Sequence, residues 1–150
     1  MDSNSENETI DSRFIILDKK GYGATANVYL VKEINQQTIY AAKVLKEHSD
    51  LFEEEINILN GLRIVNNPNI VNIISSGEGI IRRKNHPERT NQYLVLEYAS
   101  KGELFNYIYC AKAGLCERYS KVIFAKILRG VQACHNAGIC HRDLKMQNIL

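Results

Sequence analysis

His141-Arg142-Asp143-Leu144-Lys145-Met146-Gln147-Asn148 is the stretch that decides how this chain is read. It gathers an acid, a lysine and an amide (Asp143, Lys145 and Asn148) into one short run that opens on two basic residues. A lone aspartate in a loop is ordinarily a turn former or a helix cap. The elements upstream decide between that reading and a functional one.

Helical signal fills the chain just before this run. Tyr119, Ile123, Ile127 and Val131 mark one face of a long helix that ends near Asn136-Ala137-Gly138. Glu103 to Tyr109 suits a shorter helix after Gly102. Further upstream the pattern changes to strands. Phe14 to Leu17 and Val28 to Val31 are apolar, β-prone runs flanking Lys20-Gly21-Tyr22-Gly23-Ala24-Thr25-Ala26, which predicts strand, glycine loop, strand. Asn35-Gln36-Gln37 is a turn, and Thr38 to Leu45 a third strand. Asp50 with Glu53 predicts an Asp form of the capping box, opening a helix with the stripe Phe52, Ile56 and Leu59. Gly61 weakens this helix near its end, and Asn66-Asn67-Pro68 excludes its continuation. Ile70 to Ile74 and Gly79 to Ile81 carry more strand signal, interrupted at Ser75-Ser76-Gly77. A polar, basic loop, Arg82 to Gln92, then leads into the strand Tyr93 to Leu96. That loop reads either as a docking patch for an acidic partner or as a solvated hairpin connection, and the second is favoured because charge on loops is ordinary. The order is strands around one helix, then helices: an α+β chain with a β-rich lobe joined to the start of an α-rich one.

Composition narrows the class. Of 150 residues, 45% are hydrophobic and 24% charged, as in a globular protein with a packed core. The formal net charge of +2 is too small to argue for nucleic acid or an anionic membrane surface, and no run reaches the apolar length of a membrane span. MDSNSENETI, at the start, is polar and acidic, the opposite of a secretory signal, so residues 1–13 are expected to be a disordered lead. Cys110, Cys116, Cys134 and Cys140 lack the close C-x₂₋₄-C spacing of a zinc site and read as reduced thiols of an intracellular, cytoplasmic protein. Asn7-Glu8-Thr9 is formally a glycosylation sequon, which has no role in such a compartment.

Two further motifs matter. In Gly21-Tyr22-Gly23-Ala24-Thr25-Ala26 the glycines let backbone N–H groups approach phosphate oxygens. The same letters satisfy a dinucleotide-binding fingerprint, but there the loop must open a helix. Here it opens Val28-Tyr29-Leu30-Val31, a strand pattern. Lys43 closes Tyr40-Ala41-Ala42-Lys43, and a lysine buried in a strand needs a partner. Glu53, Glu54 and Glu55 all compete for it; the apolar stripe favours Glu55.

Taken together, these residues resemble the N-terminal half of a eukaryotic protein kinase catalytic domain of the serine/threonine type, over nearly all the chain after Phe14. HRDLKMQN matches the family's H-R-D-L-x-x-x-N catalytic loop, and the Lys43 segment its V-A-I-K element. Asn67-Pro68-Asn69-Ile70-Val71 is similar to the segment after the regulatory helix, and Leu94-Val95-Leu96-Glu97-Tyr98-Ala99 to the last small-lobe strand and hinge. The resemblance implies a bilobal fold: a small lobe with an antiparallel sheet and one helix over residues 14–97, a hinge over 97–102 and the start of a large lobe over 103–150. It implies ATP and Mg²⁺ as cofactors and a protein serine or threonine hydroxyl as acceptor.

By the same resemblance, Asp143 would orient the hydroxyl and accept its proton, Asn148 would hold magnesium, and Lys145 would neutralise the transferred phosphoryl group. Gly21 and Gly23 would lie over the phosphates, with Lys43, paired to Glu55, binding them. Backbone groups of Glu97 and Ala99 would bond adenine, with Leu96 as gatekeeper. Val28 and Ala41 would pack on one adenine face and Leu150 on the other. Glu103 would contact ribose or a basic substrate residue, Arg142 would answer a phosphorylated activation loop, and His141 would be a packing residue. Ala26 stands where the family has a third glycine, and Met146-Gln147 where Pro-Glu is common. The hinge and Gly102-Glu103-Leu104-Phe105 resemble the calcium/calmodulin-dependent and AMP-activated group. No Asp-Phe-Gly segment occurs within the 150 residues, so these residues alone are expected to be inactive. They are also expected to expose the apolar face of the long helix, to aggregate or to need a partner covering it. The competing reading is a kinase-like binding or regulatory protein without catalysis.

Overall fold

Period-two alternation of apolar residues builds a sheet whose inner face supplies a continuous core. The strands are β1 (Thr9–Ile10), β2 (Phe14–Tyr22), β3 (Ala26–Glu33), β4 (Ile39–Leu45), β5 (Ile73–Arg82) and β6 (Arg89–Glu97). The computed structural model describes residues 7–111 and 114–150. It divides into two units: the described residues up to Asn57 with Asn72–Tyr98, and Ile58–Val71 with Ala99–Leu150. In the first, six strands close into an antiparallel barrel in the order β1-β2-β3-β4-β6-β5. Ile10, Phe14, Tyr29, Val31, Ala42, Val44, Ile81, Tyr93 and Val95 form its core. Phe14 meets Tyr93 edge to face, with ring centroids 6.5 Å apart.

Closure depends on residues read from sequence as a disordered lead. Thr9 and Ile10 pair with both β2 and β5, and Ile10 is completely buried. The expected disorder therefore fails for this part of the lead, because one buried isoleucine and two ladders hold it; residues 1–6 lie outside the described residues. Two other boundaries also move. Ser75-Ser76-Gly77 does not interrupt the sheet but lies inside β5, where a bulge between Ile73 and Ser75 absorbs the irregularity. Arg82 to Gln92 is not one loop: β5 runs to Arg82 and β6 starts at Arg89, leaving a short turn with Asn85 at φ 62°.

Three α-helices occur among the described residues: α1 (Phe52–Val65), α2 (Leu104–Cys110) and α3 (Glu117–Asn136). The Asp50–Glu53 capping box is not formed. Asp50 is fully exposed, with its carboxylate 3.7 Å from His48 Nδ1. The start of α1 is held instead by Gln92, a buried side chain whose Oε1 accepts from Ser49 N–H at 2.8 Å and whose Nε2 donates to Ser49 O at 3.3 Å. Helix α1 stops where Asn66 adopts φ 48°, as the Asn-Asn-Pro signal predicts.

In the second unit α3 ends on a Schellman motif. Gly138 takes φ 72°, its N–H bonds His135 O at 2.9 Å, and Ile139 N–H bonds Cys134 O at 2.9 Å. The face of α3 that carries Gly130, Ala133 and Cys134 is buried. A Cβ on Gly130 would stand 2.9 Å from the Asn69 backbone oxygen. Gly to Ala inside an open helix stabilises by about 1 kcal/mol, but overpacking costs about 1–3 kcal/mol. Because a backbone carbonyl cannot swing aside like a side chain, the clash wins. Gly130→Ala is expected to lower the thermal midpoint, and a midpoint at or above the parent's would show that Asn69 yields.

The predicted stripe Ile123, Ile127, Val131 is half-buried rather than bare, while Tyr119, Val122, Phe124 and Leu128 are the large apolar side chains of α3 left more than half exposed. The cysteines are free, with Cys134 buried and the others exposed. No helix among the described residues is long and apolar enough to cross a membrane.

Candidate active site

Strand register places one group of expected site residues together in the first unit. Ala42, Val44, Tyr93 and Val95 face the barrel core, so alternation turns Ala41, Lys43, Leu94 and Leu96 to the outer face. Val28 pairs with both Lys43 and Gly21, Lys43 with Leu94, and Ala41 with Leu96. One outer surface thus carries Val28, Ala41, Lys43 and Leu96 as near neighbours. Lys43 Nζ donates to Glu55 Oε1 at 2.6 Å, which settles the competition among the three glutamates. The lysine is not fully buried as its strand position suggested: its side chain is 34% exposed and that of Glu55 41%. An ion pair this open adds at most about 1 kcal/mol to stability, so positioning the ammonium is its larger effect.

The glycine run folds as a tight turn between two strands, which excludes the dinucleotide fingerprint. Gly23 N–H bonds Ala26 O at 2.9 Å, and Lys46 Nζ donates to Gly23 O at 2.7 Å. A Cβ on Gly23 would stand 3.0 Å from the Ala26 oxygen, so a larger residue there would push that carbonyl aside by a few tenths of an ångström. Glu97, at the end of β6, donates its N–H to Asn72 O at 2.9 Å.

In the second unit Asp143, Lys145 and Asn148 interlock. Lys145 Nζ lies 2.8 Å from Asp143 Oδ2, and Asn148 Nδ2 donates to the same oxygen at 2.9 Å and to Asp143 O at 2.8 Å. The 3₁₀ turn Met146–Asn148 brings the amide back over the acid. These bonds, that from Lys145 first and that from Asn148 second, hold the Asp143 carboxyl below its ordinary value. The trio is solvent-exposed. His141 is not a packing residue: it is exposed, and its Nδ1 accepts from Asp143 N–H at 3.2 Å. Arg142 takes φ 63°, a conformation of order 1–3 kcal/mol unfavourable for a non-glycine residue and typical of functional loops.

Other expected residues sit nearby in the same unit. Glu103 is the residue at the N-cap of α2 and is half-buried, without a side-chain capping bond. Leu104 N–H bonds Ile149 O at 2.7 Å, tying α2 to the segment after the trio, and Leu150 is 58% exposed. Ala99 O accepts from Gly102 N–H at 3.1 Å. Sequence reasoning missed the His141 bond, the left-handed Arg142 backbone and the Gln92 clamp on Ser49. None leaves a compositional trace, since each is a matter of where a side chain or torsion lands.

The sequence pattern of the family described as protein kinase domain matches residues 14–150. The chain is 32% identical over 147 residues to calcium/calmodulin-dependent protein kinase type 1 of Macrobrachium nipponense, covering 94% of this chain and 39% of that protein. It is 34% identical over 137 residues to CBL-interacting serine/threonine-protein kinase 12 of Arabidopsis thaliana, covering 87% and 25% respectively. The chain therefore spans well under half the length of these relatives.

Proposed function

The chain belongs to the protein kinase domain family, and from that membership we propose that it is part of an ATP-dependent protein serine/threonine kinase. The observation that carries the reading is the interlocked trio: an acid held ionised, a lysine on that acid and an amide on the same oxygen. The trio sits in the family's catalytic-loop pattern. The family's bilobal division is proposed with it, the small lobe over residues 14–97, the hinge over 97–102 and the large lobe from 103. An intracellular location is proposed as well.

The residues fit the cofactors the family implies. Asn148 spends its Nδ2 on Asp143, leaving Oδ1 as a hard oxygen donor. Magnesium takes one or two such protein ligands beside phosphate oxygens and water. Val28, Ala41 and Leu96 present an apolar surface suited to adenine, and Lys43 presents a charge on the same face. When bound, magnesium–ATP supplies the phosphoryl group and neutralises charge during transfer.

Asp143 orients the acceptor hydroxyl and takes its proton, while Lys145 exchanges Asp143 for the charge on the transferred group. Gly21 and Gly23 keep the loop over the phosphates narrow, and Lys43, steadied by Glu55, binds phosphate oxygens. Backbone groups of Glu97 and Ala99 bond adenine, Leu150 adds an apolar contact, and Glu103 meets ribose or a basic substrate side chain. The 150 residues contain no Asp-Phe-Gly aspartate, and alone they are proposed to bind nucleotide without turnover. A partner covering Tyr119, Val122, Phe124 and Leu128 is proposed for the exposed side of α3.

Titration calorimetry of the 150-residue chain with magnesium–ATP tests the nucleotide part. Losing one charge-assisted hydrogen bond removes about 1.5–3 kcal/mol, so Lys43→Met is expected to weaken binding about tenfold or more. Affinity unchanged in that variant would remove Lys43 from the nucleotide site. Absence of binding by the parent chain would remove the site altogether.

A further inference from the structure

The inner face of the barrel ends in an uncompensated cluster of positive charge. Tyr29 and Val44 face the core, and Lys19 pairs directly with Tyr29. Asn27 lies two residues before Tyr29 in β3, so alternation turns it to the inner side, and Lys46 and Arg83 directly follow the last residues of β4 and β5. The antiparallel order brings the end of β2, the start of β3 and the ends of β4 and β5 to the same mouth. Contacts agree with this placement. Lys19 Nζ stands 3.7 Å from the Tyr22 ring centroid and 5.6 Å from that of Tyr29. Arg83 Nη1 donates to Tyr29 Oη at 3.2 Å, and Lys46 Nζ to Gly23 O at 2.7 Å.

Toward this end Asp18 pairs with Lys20, Glu88 with Arg82, and Glu8 accepts from Lys84 N–H, while Glu47, next to Lys46 in sequence, is exposed. Among the described residues no ion pair involves Lys19, Lys46 or Arg83. Burial, and after it the like charges of Arg83 and Lys46, press the Lys19 ammonium below its ordinary value. Asn27 Oδ1, at the same mouth, is buried without a hydrogen-bond partner. Turning that amide over would present N–H donors instead.

We propose that this mouth, formed by Lys19, Lys46 and Arg83 around Tyr29, is a binding site for a phosphate-class oxyanion, distinct from the nucleotide surface carrying Lys43. Arg83 has guanidinium donors to spare beyond its bond to Tyr29, and a planar fork of this kind matches phosphate. Lys19 brings an ammonium with no hydrogen-bond partner among the described residues. The ligand is free inorganic phosphate or the phosphomonoester of a phosphorylated side chain, which share this chemistry.

The test is calorimetry on the 150-residue chain without nucleotide, at fixed ionic strength. Inorganic phosphate is one arm; a phosphoserine peptide with its unphosphorylated counterpart is the other. Phosphate or phosphopeptide is expected to bind where chloride does not, and Lys19→Met with Arg83→Met is expected to weaken binding at least tenfold. Lys43→Met, and Lys32→Met at the other end of the barrel, are expected to leave it intact. Tighter binding of the phosphopeptide than of phosphate identifies a side-chain ligand; the reverse identifies the free ion. In phosphate-free buffer the double variant loses the bond to Tyr29 Oη as well as like-charge repulsion, so a circular dichroism spectrum and a cooperative melt that match the parent's in form separate lost binding from lost folding. No binding beyond chloride, or binding undiminished in the double variant, overturns the site. Loss of binding in Lys43→Met would overturn its separateness from the nucleotide surface.

Discussion

Asp143→Asn is expected to lower phosphoryl transfer by the proposed kinase about 10²–10⁴-fold, the range that a positioned general base contributes. The asparagine keeps the shape and can still accept from Asn148, but it loses the charge that holds Lys145 and the capacity to take a proton. The loss should fall on kcat, with nucleotide affinity nearly unchanged. Transfer within about twofold of the parent's would end the proposed role.

The pH dependence has a definite sign. Bonds from Lys145 and Asn148 lower the Asp143 pKa, so the carboxylate is ionised at neutral pH and loses its pairing only as pH falls through that lowered value. An acid limb of the rate profile near neutrality therefore belongs to another group. Lys145→Met should move the Asp143 limb upward, because it removes the largest cause of the depression.

Phe14→Ala should destabilise the chain by about 3–5 kcal/mol, the usual range for emptying a buried phenylalanine site. The ring is completely buried and meets Tyr93 edge to face. Its strand pairs with both β1 and β3, so a cavity there weakens the closure of the barrel on each side. A domain has only about 5–15 kcal/mol in total, so the change takes a large share of it. Urea unfolding can be followed by circular dichroism or tyrosine emission, since the chain has no tryptophan. Leu17→Ala, on the same strand but 45% exposed, should stay within about 0.5 kcal/mol of the parent. Equal effects of the two substitutions would mean that the core does not sit where the burial pattern puts it.

Much of the candidate site was legible in the sequence because its contacts are local. Asp143, Lys145 and Asn148 lie within a few residues of one another, and a short turn suffices to bring the amide back to the acid. Strand alternation likewise announced β3, β4 and β6, and a proline-bearing stop ended α1. The partner of Lys43 was narrowed to three adjacent glutamates, and helix phase chose Glu55. The polar stretches misled. Ser75-Ser76-Gly77 and Arg89 to Gln92 look like loops residue by residue, yet ladder hydrogen bonds with a long partner strand keep them extended. Local propensity carries no term for a partner that arrives from far along the chain.

From the amino-acid order alone, then, come the strands from β2 onward in outline, the helices, the family and the residues proposed to carry its chemistry, since each is written in short spacings. Tertiary structure alone decided that the sheet closes through Thr9 and Ile10, and that Gln92 fastens the start of α1. It alone decided that Lys19, Lys46 and Arg83 meet at one mouth. Those outcomes depend on register between strands distant in sequence. Shifting any pairing by one residue would turn each of those side chains to the opposite face.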